Sequence, residues 1–115
     1  MSYVVEGESL MKREDHHFLS DRTVDEASRM LKAISDPTRM KILYLLFQEE
    51  CSVGHMTEVL NISQSAVSHQ LSYLRNLRLV KYRREGNTYF YTYADEHVVG
   101  ILNQVIQHIE CVHEE

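Results

Sequence analysis

The sequence predicts a mainly α fold, a winged helix-turn-helix ordered α-α-α-α-β-β-α, paired as a homodimer through its first and last helices. Three observations predict it. Two short amphipathic helices meet at an Asn-Ile turn between Ser52 and Leu74, and the second is polar and free of acids on its outer face. The hydrophobic period then changes from helical to alternating, from Val80 to Tyr93, with a Gly-containing turn in the middle. The period turns helical again over Asp95–Cys111.

The elements follow in order. Residues 1–22 show no clear period and read as an N-terminal arm, and residues 23–113 read as one domain. Thr23 with Glu26 gives a capping-box signal, after which Val24, Ala27, Met30, Leu31 and Ile34 recur on one face. Asp36 caps a second helix with Pro37 at its first position. Met40, Ile42, Leu43, Leu45, Leu46 and Phe47 make that helix dense enough to be central. Val53, Met56, Val59 and Leu60 mark the third helix, and Asn61-Ile62 the turn after it. Ser63 then caps a fourth, whose Val67, Leu71 and Leu74 face inward. Val80–Arg84 and Thr88–Tyr93 alternate on either side of Glu85-Gly86-Asn87, which is a hairpin and hence a wing. The last helix carries Val98, Ile101, Leu102, Val105, Ile106 and Ile109.

Composition excludes several classes. No apolar run approaches the 18 residues of a membrane span, and the polar N-terminus does not read as a signal peptide. Two cysteines, Cys51 and Cys111, make no disulfide framework, so a reducing cytoplasm is the expected location. The net charge of −5 hides an asymmetry. From Ile62 to Arg84 there are five basic residues and no acid, whereas from Ala94 to Glu115 there are five acids and no Lys or Arg. That division suits a nucleic-acid face and a cation site in different places, although two ordinary solvated faces would look the same.

The acidic end reads D-x-H-x10-H-x2-C: Asp95, His97, His108 and Cys111. His97 and His108 lie about 16 Å apart on one helix, too far for one ion to bridge. The four positions are, however, nearly symmetric about Asn103. Two copies of the helix crossing antiparallel there would bring Asp95 and His97 of one chain to His108 and Cys111 of the other. Each dimer would then hold two sites whose N, O and S donors suit a tetrahedral Zn(II). Asp95 is equally placed to cap the helix, and His113 rivals Cys111 as fourth ligand. A thiolate favours Zn(II) or Cd(II) over Ni(II). All these ligands bind deprotonated, so the response to metal should weaken below about pH 6.

On the basic side, Gln64, Ser65, Ser68 and His69 are the residues expected to enter the major groove of double-stranded DNA. Gln can pair with adenine, and Ser can read bases or phosphate. Lys81, Arg83 and Arg84 on the wing, with Arg75 and Arg78 nearby, would contact phosphates. Strict alternation prevents Arg83 and Arg84 from both facing the DNA, so one is expected to pair with an acid. The tyrosines of the second strand read as packing.

These motifs carry a resemblance. Asp36-Pro37-Thr38-Arg39, Cys51-Ser52-Val53-Gly54-His55, the run Leu60-Asn61-Ile62-Ser63-Gln64-Ser65-Ala66-Val67-Ser68-His69-Gln70-Leu71, Leu77-Arg78-Leu79-Val80 and Arg83-Arg84-Glu85-Gly86 together resemble the ArsR/SmtB family of metal-responsive repressors over residues 24–113. The D-x-H-x10-H ending is similar to its zinc- and cobalt-sensing branch. The resemblance implies a dimer that binds operator DNA when metal-free. It also implies that Zn(II), with Cd(II) or Co(II) as alternatives, releases the DNA and so derepresses metal-efflux or sequestration genes. It further implies that His108 links the metal to the backbone near the recognition helix through its second ring nitrogen. The family pattern usually ends in His or Glu where this chain has Cys111. A second family site joins the arm to the region of Cys51 through several cysteines. The arm here has none, and His16, His17, Cys51 and His55, a weaker substitute, read as solvent-exposed polar residues. The four protein ligands would leave no open metal position, so an enzyme is not expected. The alternatives are a thiol redox sensor using Cys111 and Cys51, and a constitutive DNA-binding protein with vestigial ligands.

Overall fold

The computed structural model describes residues 16–113, in which five helices and a small antiparallel sheet follow the order α1 (Asp21–Ile34), α2 (Pro37–Gln48), β1 (Cys51–Ser52), α3 (Val53–Leu60), α4 (Gln64–Asn76), β2 (Val80–Glu85), β3 (Thr88–Tyr93), α5 (Glu96–His113). The first fifteen residues of the expected arm lie outside this range.

Capping side chains account for most helix starts. Asp36 accepts a hydrogen bond from the Arg39 amide with Pro37 at the first position of α2, as expected, because that proline has no amide to leave unpaired. Ser52 and Ser63 cap α3 and α4 through the amides of His55 and Ala66. The start of α1 differs from expectation. Ser20, not Thr23, is its cap, accepting from the Thr23 amide at 3.1 Å, so the helix opens at Asp21 inside the stretch read as arm. Ser20 adds a turn and brings Asp21 to the positive end of the helix dipole. Glu26 instead pairs with Arg22 at 3.2 Å.

The sheet order is β1-β3-β2, with Cys51 opposite Tyr91, Ser52 opposite Phe90, and β2 paired with β3 from Val80–Tyr93 to Glu85–Thr88. The hairpin was expected; the third strand, two residues long, was not. It is too short to show a period and is visible only through its partner. Glu85 is the last ladder residue, so the loop is Gly86-Asn87 alone, and Gly86 adopts the positive φ (67°) that a Gly-first hairpin turn requires.

α2 is central: Ile42, Leu43 and Leu46 are buried and meet Met56 of α3, Val67, Leu71 and Leu74 of α4, Leu79 and Val80 at the root of the wing, and Val99 and Leu102 of α5. No polar or charged side chain is buried among the described residues. Leu79 and Ala94 are tied by a backbone hydrogen bond of 2.9 Å that closes the base of the wing against the start of α5. The outer helices are only half covered. In α1 just Ala33 and Ile34 are buried, while Val24 and Leu31 face outward. In α5 the apolar set divides: Val99 and Leu102 face the body, whereas Ile101, Val105, Ile109 and Val112 remain 45–55% exposed.

Candidate DNA-binding surface and metal-ligand cluster

α4 presents Gln64, Ser65, Ser68, His69 and Ser72 on its exposed side and buries Val67, Leu71 and Leu74. Burial at i, i+4, i+7 fixes the rotation of the helix, so the polar side must point outward. The helix begins at Ser63, and Ser63 Oγ and Ser65 Oγ stand 3.5 Å apart. The outward groups are hydrogen-bonding side chains, with Gln64 and Ser65 at the positive end of the helix, a surface complementary to base edges and phosphates.

The wing separates its cations by face. Alternation places Arg83 with Lys81 and Phe90 on one side, and Arg84 with Tyr82, Tyr89 and Tyr91 on the other. Arg83 is the arginine that pairs with acids: Nε and Nη2 donate to the two carboxylate oxygens of Glu50 at 2.8 and 3.0 Å, and Nη1 donates to Glu85 at 3.1 Å. That fork holds the Glu50 carboxyl below the usual carboxylate range and keeps the guanidinium firmly protonated. Arg83 thus ties β2 to the corner between α2 and β1. Arg84 donates to the Gly86 carbonyl and lies over Tyr89. Tyr82 stacks on Tyr89 at 5.0 Å, packs against Tyr91 and lies under the Arg75 guanidinium. The tyrosines therefore pack, and the stack includes Tyr82 of the first strand, whose part the alternation alone did not reveal.

At the start of α5 the Asp95 carboxylate has two partners. One oxygen accepts from the Val98 amide at 3.3 Å, the capping bond, and the other lies 3.0 Å from His97 Nδ1. Asp95 thus caps the helix with one oxygen and meets His97 with the other. The histidine hydrogen bond, then the Val98 amide, lowers the Asp95 pKa; the same carboxylate raises that of His97, whose side chain is 91% exposed. Two ligands of a tetrahedral Zn(II) stand roughly 3.3 Å apart, so this O,N pair already has nearly the right spacing.

His108, Cys111 and His113 are exposed near the other end of the helix. α5 stays helical through His113, so both rival fourth ligands have a fixed direction around the helix. At 100° per residue, His108 lies about 20° around the helix from His97 and Cys111 about 40° to the other side. His113 lies about 160° away, in line with buried Leu102 and Val99. His97, His108 and Cys111 thus share one face, and the exposed strip of Ile101, Val105 and Val112 runs beside it. One copy of the chain offers half a tetrahedral set at each end of α5 and closes neither. The residue types fit Zn(II): two imidazoles, a carboxylate and a thiol.

A second group lies at the corner of α2, β1 and α3. The ligand atoms of Glu49, Cys51 and His55 all fall within 4.8 Å of one another, with His55 Nε2 3.5 Å from Glu49 and Cys51 Sγ donating to the Glu49 carbonyl. Contrary to the expectation of a solvent-exposed residue, Cys51 is 1% exposed, because pairing with Tyr91 turns its side chain beneath the sheet. Burial, with Glu49 and Glu50 nearby, pushes its thiol up to about 11, which makes it a poor ligand and a poor redox centre near neutral pH. Glu49 escaped sequence reasoning; its only signal was a position two residues before a cysteine.

The helix pair, the hairpin beside it and the outward polar face of α4 define a winged-helix DNA-binding protein. Residues 36–82 match the family model described as bacterial regulatory protein, arsR family. A transcriptional repressor SmtB homolog from Synechocystis is 38% identical over 91 residues, covering 76% of this chain and 69% of the relative. A cadmium resistance transcriptional regulatory protein CadC homolog from Staphylococcus aureus is 37% identical, covering 72% and 69%. Among solved structures, HlyU from Vibrio cholerae, a protein named as a transcriptional activator, superposes with a TM-score of 0.71 at 34% identity, covering 80% of this chain and 99% of that one. The homodimeric winged helix-turn-helix domain of Mb0332 from Mycobacterium bovis gives 0.70 at 31%, covering 84% and 92%. The chain belongs to the arsR family of bacterial regulatory proteins, which are DNA-binding transcriptional regulators rather than enzymes. No helix among the described residues is long and apolar enough to cross a membrane.

Proposed function

We propose that this protein is a cytoplasmic, metal-responsive transcriptional repressor. Its metal-free homodimer binds operator DNA, and Zn(II) bound between the two α5 helices weakens that binding. Genes for metal efflux or sequestration are the expected targets. The observation that carries this reading is the geometry of α5. An Asp95–His97 pair 3.0 Å apart sits at one end, His108 and Cys111 lie along the same face at the other, and an uncovered apolar strip runs between them. A second copy laid antiparallel covers the strip and completes both ligand sets at once. Cd(II) and Co(II) fit the same donors, the thiolate favouring the softer ion. Gln64, Ser65, Ser68 and His69 are the proposed base-reading residues. Arg84 on one face of the wing and Lys81 on the other, with Arg83 held by Glu50, are the proposed wing contacts.

For coupling, His108 is the proposed link. Its ligating nitrogen commits the ring to one tautomer, leaving the other nitrogen to donate to backbone near α4. His108→Asn should therefore keep part of the metal affinity and lose the DNA response.

The deciding experiment is fluorescence anisotropy of the full chain on its own upstream DNA, titrated with Zn(II) and then with a chelator. The expected result is reversible release at about two Zn(II) per dimer, lost in His97→Ala. DNA binding that ignores Zn(II), Cd(II) and Co(II) alike would overturn the metal reading. A thiol-redox reading has little support, since of the two cysteines only Cys111 is exposed.

A further inference from the structure

Arg39 is shared by three helices. Its backbone amide is capped by Asp36 at the start of α2. Its Nε donates to the carbonyl of Ala33 in the last turn of α1 at 2.9 Å. Its Nη1 donates to Gln70 Oε1 of α4 at 3.0 Å, and the guanidinium lies over the Tyr73 ring at 4.2 Å. A partly buried cation is usually matched by a carboxylate. Among the described residues none forms an ion pair with this one. The charge is met by the negative end of the α1 dipole, an amide oxygen and a ring face.

The partners sit at informative places. α1 is exposed from Asp21 to Arg29 and rooted at Met30, Ala33 and Ile34 near its end, so a bond to the Ala33 carbonyl acts where the direction of the whole helix is set. Gln70 and Tyr73 lie one turn apart on α4, between its buried residues and its outward polar side. A planar guanidinium with donors at fixed angles can hold both helices at once, which a lysine ammonium cannot.

We propose that Arg39 is a positioning residue that fixes the direction of α1 relative to α4. In the dimer it thereby sets the spacing and tilt of the two recognition helices, without touching DNA. This rests on the dimeric DNA-binding reading above. α4 itself is folded by its Ser63 cap and by Val67, Leu71 and Leu74, so loss of Arg39 should misplace the helix rather than melt it.

The test compares two duplexes. One is an inverted-repeat duplex that the unsubstituted protein binds, selected from its upstream DNA by footprinting, and the other has one half of the repeat scrambled. Arg39→Lys and Gln70→Ala should each weaken binding to the intact repeat by at least about fivefold, and change binding to the half-site duplex by less than about twofold. The double variant should bind the intact repeat no more than about twofold worse than either single one, because both remove one connection. Gln70→Ala, at an interhelical surface position, keeps the comparison informative should Arg39→Lys fold poorly. Equal losses on both duplexes would overturn the proposal, since Arg39 would then support only the local fold of α4. Unchanged binding, or multiplicative losses in the double variant, would overturn it as well. An unsubstituted protein that binds both duplexes equally would sink the dimeric reading, and the proposal with it.

Discussion

Cys51 and Cys111 have the same chemistry and opposite surroundings. Cys51 lies under the sheet with its thiol raised to about 11, so at pH 8 it is mainly the unreactive thiol. Iodoacetamide at pH 8 should label exposed Cys111 first and Cys51 only on unfolding, as read by mass spectrometry of the intact protein; equal labelling of both in native buffer would contradict the burial. His97 gives a second expectation. The Asp95 carboxylate raises its pKa, so the metal-free histidine holds its proton to higher pH than an isolated imidazole. Protonation removes a ligand, so metal affinity should begin to fall at a higher pH than an isolated imidazole would give and go on falling as pH drops. Replacing Asp95 by Asn should shift that fall to lower pH while also weakening binding. Co(II) absorption, read against pH, checks both. The same spectra separate the fourth ligands: Cys111→Ser should abolish the thiolate-to-cobalt band, and His113→Ala should leave it unchanged, because His113 lies on the far side of α5.

Helix α4 depends on a few capping and packing groups. Ser63→Ala removes the acceptor for the Ala66 amide and should cost about 1 kcal/mol of stability, measured by urea unfolding. The wing is latched differently. Its Arg83–Glu50 fork is exposed to solvent, so Glu50→Gln should leave global stability nearly unchanged. Amide exchange in β2 and β3 should nevertheless rise, since the latch joins the hairpin to the α2–β1 corner. Unchanged exchange there would show that β1 pairing alone holds the wing. Strand alternation had already required that one of Arg83 and Arg84 turn away from the other. Which of them meets an acid depends on Glu50, 33 residues away, and no local pattern records that contact.

The molecule as a whole leaves its outer helices unfinished. Ile101, Val105, Ile109 and Val112 on α5, with Val24 and Leu31 on α1, expose apolar area that a lone domain of this size would be expected to bury. Val105→Glu, placed in that strip, should shift the protein from dimer to monomer in sedimentation experiments and lower DNA affinity by at least tenfold. A monomeric unsubstituted protein would contradict the reading. Salt should weaken DNA binding strongly too, as expected of the proposed phosphate contacts by Arg75, Lys81 and Arg84.

Much of this was legible in the chain itself. Periodicity marked the five helices and the hairpin, because burying one face of a helix or strand forces apolar residues into step with its geometry. Asp36-Pro37 and Ser63 announced their helices because capping is local chemistry. The candidate ligand set could be proposed for the same reason: its near-symmetry about Asn103 is a property of one helix. Other features exist only where distant segments meet. β1 is two residues defined by β3, the burial of Cys51 follows from that pairing, and the Arg39 contacts join residues up to 31 positions apart. The start of α1 needed the structure as well, since Ser20 and Thr23 are both acceptable caps and only the folded helix selects between them. Sequence settles what each segment can become, because propensity and period act over a few residues. Tertiary structure decides which partner each side chain finds, because that depends on segments the local pattern cannot see.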